Sequence, residues 1–547
     1  MPELLNDLVK QYEQLKLRRL NWEATWEEIA TFILPRKSEI ISDRTAGTKQ
    51  TRKLFDSTAI EANERLAASI SGSVTNPVSQ WFSFDLPGTN MLQGGRRRNI
   101  DLWLQEVSSS IFRQLRLSNF NTEIGEVYLD VGAFGTGAIY VDEQVGANDW
   151  NGLHFRALHL GEYVIGEDAN GLVDTIFREM KMSAQAAVTR WGKNVSDKVW
   201  EIAQQRPHEE LRFLHCVLPQ TPNMKASIKG AISKVRDFPF VSFYLDTQYQ
   251  KIMSVRGYNE FPFMVARWAK ASGEVYGRGP GFTALPDVQS LNKADELGLR
   301  AWAKAIDPPI LSLHDAVLGT PDLRPSRLNI VTEMGALQPF PQATNMQLDN
   351  IKREDKRNSI RRIFFMDQVQ FIPERGKTPA TAMEIQARMD IMLQILGPTL
   401  ARLEFELLQP LINRVFSMML RKELLPPPPP EVMQIAEQVG GQIDVEFRGP
   451  IARAKRRAEA FSIQNSVGYA MQLAQAMPEI LDLFNPDAIV RQLAHVEGAP
   501  QTILRSFEEV MQIRQQRAQQ MQQQQQMAQM KEGSEMVRNV RGGGAGR

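Results

Sequence analysis

The sequence predicts a helix-rich α+β protein, and three observations carry that prediction. Residues 1 to about 275 mix helical spacing with a succession of short alternating segments, and the remainder is mostly helical in pattern. Hydrophobic residues make up 43% of the 547 and charged residues 23%, an ordinary globular composition rather than a disordered one.

The elements follow in order. Leu5, Leu8, Tyr12 and Leu15, then Trp22, Trp26, Ile29 and Ile33, give a first helix that Pro35 stops. A second helix fits Asp56 to Ser71, with Asp56 or Ser57 as cap and Ile60, Leu66, Ala67 and Ile70 as its apolar face. Helices at Ile100 to Leu117 and about Asn121 to Val131 come next. Gly132, Gly135 and Gly137 then turn the chain into a strand at Ala138 to Val141. Further strands are expected at Leu153 to Leu158, Glu162 to Gly166 and Leu172 to Met182, the last two joined by an Asn170-Gly171 hairpin turn. A helix at Ser183 to Trp191 interrupts, and strands resume at Arg212 to Leu218, Phe240 to Tyr244 and Phe263 to Trp268.

Pro286 reads as the first turn of a helix running to about Ile306, and another helix fits about Asn345 to Phe365. Thr381 and Glu384 form a capping box for a long apolar helix that Gly397-Pro398 and Pro410 should kink. Pro426 to Pro430 form a stiff spacer ahead of a final α-rich module. Ile503, Phe507, Val510 and Met511 keep helical spacing into a glutamine-rich stretch, so 501–530 should be helical and 531–547 a disordered tail.

Charge and cysteine bound the function. Lysine plus arginine number 64 against 63 aspartate plus glutamate, a net charge of +1, which excludes a histone-like polycation. The single cysteine, Cys216, can make neither an intrachain disulfide nor a thiolate metal cage, so a reducing compartment is expected. No apolar run approaches the roughly 20 residues that span a bilayer, so no membrane contact is expected. Glu3, Asp7 and Glu13 interrupt any exported leader, and a cytosolic place of assembly follows.

Catalytic patterns fail on inspection. Gly376-Lys377-Thr378 resembles the end of a phosphate loop, but Phe371 stands where its first glycine must be, and Pro379 removes a donor. Asp168, Glu179 and Lys181 have roughly the spacing of a metal-dependent nuclease, yet Asp168 falls in the hairpin turn. No pair among His154, His159, His208, His215, His314 and His495 has metal-ligand spacing on a predicted helix. His215 and Cys216, adjacent on a strand, should point to opposite faces. No cofactor or catalytic residue is expected.

Five stretches are distinctive in combination. They are Trp26-Glu27-Glu28-Ile29-Ala30 with Leu34-Pro35-Arg36; Thr75-Asn76-Pro77 ahead of Trp81-Phe82; and Gly135-Thr136-Gly137-Ala138. The fourth runs from Gly273 to Gly281 and continues as Ala284-Leu285-Pro286-Asp287 to Asn292, with Ala305-Ile306-Asp307-Pro308-Pro309 beyond it. The fifth is Thr381-Ala382-Met383-Glu384-Ile385. In that order, over about residues 10 to 480, they resemble the portal proteins, or head-to-tail connectors, of short-tailed bacteriophages.

The resemblance implies a non-enzymatic subunit of a twelve-membered ring at one capsid vertex, assembled in the host cytoplasm and carried in the virion. Duplex DNA, held without sequence preference, would pass through its channel. Partners would be the major capsid and scaffolding proteins, the terminase large subunit and tail adaptors. It implies an α+β wing at 1–280, a stem helix at 281–306, a clip at 307–343 and a second stem helix at 344–365. A tunnel loop would follow at 366–380, a kinked wing helix at 381–425, the proline spacer at 426–430, a crown at 431–500 and a barrel helix at 501–530. Phe371, Arg375 and Lys377 would then face the channel from the tunnel loop. Lys352, Arg353, Lys356, Arg357, Arg361 and Arg362 could face it from the second stem helix, although at 100° per residue they wrap most of its circumference. The alternative is a solvated helix that pairs with neighbouring subunits. A head–tail adaptor or tail protein is the structural runner-up, and the nuclease the enzymatic one.

Overall fold

The computed structural model describes residues 2–42, 47, 53–86, 95–144, 150–222, 224, 238–306, 310–312, 337–339, 346–366, 395–439, 446–448, 450–474, 477–497, 504–505, 509–524 and 527. Helices α1 (Pro2–Ile33) and α2 (Thr58–Val74) precede strand β1 (Ser83–Asp85), and α3 (Gly95–Leu117) and α4 (Phe120–Phe134) lead into β2 (Thr136–Glu143). Next come β3 (Leu153–Leu158), β4 (Tyr163–Glu167), β5 (Val173–Ser183), α5 (Ala184–Trp191), α6 (Asp197–Gln205), β6 (Glu210–Pro219), β7 (Phe240–Asp246), β8 (Lys251–Tyr258) and β9 (Phe263–Arg267). The long helix α7 (Pro280–Ile306) is followed by β10 (Ile310–Ser312), β11 (Leu337–Pro339) and a second long helix, α8 (Met346–Ile363). Residues 395–403 are helical and pass through a π-helical turn, Glu404–Leu408, into α9 (Gln409–Arg421). Then come α10 (Pro430–Val439), β12 (Glu446–Arg448), α11 (Pro450–Leu473) and α12 (Pro486–Glu497), and residues 509–524 are again helical.

The chain divides into two units, residues 1–79 with 114–414, and residues 80–113 with 415–547. In the first, β4-β5-β6-β7-β8 form a five-stranded antiparallel sheet and β3-β2-β9 a three-stranded one. Leu4 and Leu8 of α1 cover one face of the larger sheet, against Val164, Phe177, Cys216 and Phe243. Helices α5 and α6 cover the other, where Trp191 and Val199 meet Phe213 and Tyr244. His215 and Cys216 do face opposite ways: His215 stacks on Tyr244 at 4.1 Å and its Nε2 lies 2.9 Å from Ser242 Oγ, while Cys216 is buried on the α1 side. In the second unit β1 pairs with β12, Ser83 opposite Arg448. Trp103 Nε1 donates to Pro426 O at 2.9 Å, which fixes the start of the proline run.

Several boundaries differ from the sequence expectations for physical reasons. α7 begins at Pro280, six residues early, because Pro280 supplies a helix start and Pro286 costs only one backbone hydrogen bond. α6 and β8 were not foreseen. α6 is a nine-residue helix that Ser196 caps through its hydroxyl, and β8 is an edge strand whose half-buried, mixed-polarity residues give little alternation. Just ahead of Pro410 the helix takes a π turn: Gln409 N bonds to Glu404 O, and the helix continues. Proline cannot donate to the carbonyl four residues back, so a wider turn here accommodates the gap.

Candidate functional site

Three of the distinctive stretches, those around Trp26, Gly135 and Gly279, are far apart along the chain and meet at the root of α7. α4 ends at Gly135, whose φ of 75° is the left-handed value that closes a helix most cheaply with glycine. Gly135 O accepts from Trp268 N at 2.9 Å, and Arg278 N donates to Ala269 O at 2.7 Å, which draws the 277–281 segment over the end of α4. Gly277 N donates to Thr136 Oγ1 at 2.8 Å. A Cβ on Gly279 would come within 2.6 Å of Val131 O and 2.9 Å of Gly132 O, and one on Gly281 would collide with the Ala133 backbone. The glycine density is therefore a packing requirement: two backbones touch where no side chain fits.

α1 braces the same joint. Trp26 is wholly buried and meets Tyr276 edge-on at 4.9 Å, while Trp22 packs against Tyr276 and Phe282 at 5.9 Å each. Arg278 lies 4.8 Å over the Trp22 ring, with Nη2 2.6 Å from Glu274 Oε1. Glu27 holds the turn after α1 by accepting from Glu39 N and Ile40 N. From the Thr75-Asn76-Pro77 stretch, Thr75 Oγ1 meets Tyr128 OH of α4 at 3.3 Å. Of the fifth stretch, 381–385 lies outside the described residues.

From that joint α7 runs antiparallel to α8, and acids of α7 meet bases of α8 along the length. Asp287 binds Lys356 Nζ at 2.5 Å and Ser359 Oγ at 2.7 Å. Asp295 takes Arg353 on one oxygen and Arg357 on the other, both at 3.0 Å. Arg357 also reaches Asp56, just ahead of α2, at 3.0 Å. Gly298 leaves room for the Arg353 guanidinium, which a Cβ there would strike. Lys356 and Ser359 hold the Asp287 carboxyl below the usual aspartate range. Burial opposes the Arg357 charge, but the Asp56 hydrogen bond and the surrounding carboxylates outweigh it, and its pKa rises. The base of α8 is anchored by buried Phe364 and by Phe365 stacked on Trp268 at 6.1 Å.

This sorts the six basic positions of α8. Arg353, Lys356, Arg357 and Arg361 are engaged within the chain, Arg361 with Glu354 at 2.9 Å. Lys352 and Arg362 are exposed and have no ion-pair partner among the described residues. Phe371, Arg375 and Lys377 lie outside the described residues, as do 307–309, 313–336 and 340–343 of the expected clip.

A second hub was not foreseen. Arg267, 1% exposed, binds Glu167 and also Glu406 of the π turn, at 2.7 and 2.9 Å, and donates to Gly171 O and Val275 O. The nearest sequence signals were the helix irregularity at Pro410 and the hairpin at Asn170-Gly171. Neither names an arginine on a distant strand.

The nuclease constellation is not assembled. Asp168 accepts from Asn170 N and Leu172 N within its own turn, which lowers its pKa. Glu179 accepts from Tyr12 OH at 2.6 Å and lies 3.6 Å from Lys16 Nζ. Among the described residues no cluster of three or more His, Cys, Asp or Glu could hold a metal ion, and no helix is long and apolar enough to cross a membrane.

Comparison with known proteins gives one consistent result. The chain is 29% identical over 523 residues to the portal protein of Salmonella phage epsilon15, covering 93% of this chain and 90% of that protein. It is 27% identical over 517 residues to the probable portal protein of Bordetella phage BPP-1, with the same coverage. A chain from the virion of a native gene transfer agent particle aligns with 78% of this chain and 91% of its own length at 12% identity. Its TM-score of 0.31 is too low to establish a shared fold. The family model of the bacteriophage head to tail connecting protein matches residues 5–504. On that match over most of its length, the chain belongs to the bacteriophage head to tail connecting protein family.

Proposed function

We propose that this chain is a structural, non-enzymatic subunit of a closed ring of twelve at one capsid vertex, and that duplex DNA passes through the ring during packaging and ejection. In this reading residues 1–280 form the wing, α7 and α8 the stem, 307–343 the clip, 366–380 the tunnel loop, and 431–500 a crown with the glutamine-rich helix beyond it. The terminase large subunit docks first and tail adaptors replace it. Capsid and scaffolding proteins surround the ring, which is built in the host cytoplasm and kept in the virion.

The internal cancellation of charge along α7 and α8 is the observation that carries this reading. A conduit must not grip its cargo, because each phosphate contact adds affinity that translocation must break. A helix with six basic residues would be a strong DNA ligand if all six pointed outward. Asp56, Asp287, Asp295 and Glu354 take up four of them, so the proposed channel contacts reduce to Lys352 and Arg362, joined by Arg375 and Lys377 from the loop.

Heads assembled with and without this chain, then offered duplex DNA and the packaging motor, test the proposal. DNA should become nuclease-protected only in heads that contain the chain. Equal protection in heads lacking it contradicts the proposal.

A further inference from the structure

Four arginines gather about one face of the larger sheet with few acids among them. Arg178 of β5, His215 of β6 and Tyr244 of β7 lie directly opposite one another across the strands and so share that face. Ser242, two residues before Tyr244, shares it too and stands opposite Arg256 of β8. Arg190, at the end of α5, folds onto the same place. Its guanidinium lies 4.9 Å over the Tyr244 ring, and Nη2 donates to Tyr244 OH at 3.1 Å. From the smaller sheet Tyr140 meets His215 edge-on at 6.1 Å, and Arg156 of β3 is in register with Tyr140.

These charges are poorly matched within the chain. Arg178 is 4% exposed, yet its one acceptor among the described residues is Glu162 Oε2, at 3.4 Å. Arg156 and Arg256 are exposed and have no ion-pair partner among the described residues. Asp142, the other acid beside them, already accepts from Tyr140 OH and Tyr258 OH and lies 3.8 Å from Arg414. Burial, and after it Arg178, Arg190 and Arg256, holds the His215 imidazole well below its ordinary pKa, so His215 is neutral. A buried guanidinium with so few acceptors is costly unless a further anion supplies them.

We propose that this face binds a phosphate group, held by Arg178, Arg190 and Arg256 with Arg156 at its edge. A carboxylate is filled by one or two guanidinium forks, whereas a phosphate offers more oxygens and more charge to donors that arrive from different elements. The Tyr244 and His215 rings stack on each other at 4.1 Å and are buried, so neither presents a face to a nucleobase, and the phosphate itself is what is recognised. Free diphosphate and a nucleic-acid backbone present the same chemistry, and the test separates them. All of these residues belong to the first unit, so the site owes nothing to ring assembly.

Calorimetric titration of the full chain with sodium diphosphate, and separately with a short DNA duplex at the same ionic strength, makes the test. The variant is Arg190→Gln with Arg256→Gln, two exposed positions. Diphosphate should bind the native chain and bind this variant about tenfold or more weakly, the cost of one charge-assisted hydrogen bond. A duplex that loses affinity in the same way, while diphosphate gives no heat, assigns the site to a nucleic-acid backbone. Arg65→Gln with Arg116→Gln, the same charge change at exposed positions elsewhere, should alter neither titration. No binding of either probe, equal binding by native chain and variant, or an equal loss in the Arg65 and Arg116 control overturns the inference. A melting temperature matching the native chain establishes that the variant is folded, and Arg256→Gln alone repeats the comparison if it is not.

Discussion

Gly135 and Gly279 lie against each other so closely that neither has room for a side chain: a Cβ on Gly279 would come within 2.9 Å of Gly135 N, and one on Gly135 would strike Gly279 N. This contact ties the end of α4 to the root of α7, and it makes two glycine-rich stretches that bracket strands β2 to β9 in sequence parts of one joint. Its rigidity comes from backbone touching backbone, with Trp22, Trp26 and Tyr276 packed around it.

Gly279→Ala should therefore destabilise the chain by on the order of 3 kcal/mol, since backbone oxygens cannot move aside as a flexible side chain would. Gly125→Ala, in α4 where nothing lies within 4 Å of the added carbon, should instead stabilise by about 0.5–1 kcal/mol. Urea unfolding of the two variants checks both signs. A neutral Gly279→Ala would mean that the joint is looser than the packing requires.

Asp295 accepts from two arginines and its side chain is 10% exposed, but Arg357 keeps Asp56, so Asp295→Ala should cost about 1.5–3 kcal/mol. Lys356→Ala removes a pair whose lysine is 46% exposed and should cost less than about 1 kcal/mol. Thermal denaturation of both variants against the native chain measures the contrast.

Acid–base behaviour separates two aspartates. Burial pushes the Asp130 carboxyl up to about 6 although Lys37 attracts the charge, and its Oδ2 has no hydrogen-bond partner. A raised acid stabilises the fold only while protonated, so this contribution is complete below about pH 4 and is lost as pH rises through 6. Asp287 has the opposite sign: its lowered pKa contributes stability above about pH 4 that is lost as pH falls through the folded value. The stability of Asp130→Asn relative to native should thus improve by about 2–3 kcal/mol between pH 4 and pH 7. The relative stability of Asp287→Asn should hold nearly level over the same interval, because its change falls below about pH 4. Urea midpoints at the two pH values give the answer.

In assembled heads, Lys352→Ala with Arg362→Ala should lower DNA retention as salt rises while leaving chain stability unchanged, because neither side chain has an ion-pair partner among the described residues. Removing Gln368 to Lys377 should leave assembly intact and impair packaging or retention. Retention unaffected by both changes would mean that DNA is steadied elsewhere.

Much of this was legible in the sequence because apolar spacing reports burial directly. The helix ahead of Pro35, the Asn170-Gly171 hairpin and the opposite facing of His215 and Cys216 all follow from local rules. The glycine stretches were visible, but their shared cause was not, because a backbone contact between Gly135 and Gly279 leaves no periodic trace. The basic residues of α8 were visible too. Which of its charges remain outward depends on Asp56, Asp287 and Asp295, whose partners are set by the tertiary meeting of three helices. The β1–β12 pairing was hidden for a similar reason: three-residue strands so far apart in sequence carry no local signal.

An end-on electron image of the purified protein, together with its mass, reads both the closure of the ring and its open centre. Twelvefold rings of about 744 kDa with a central hole wide enough for duplex DNA are expected. A stable species of about 62 or 124 kDa, or a closed particle without a hole, would contradict it.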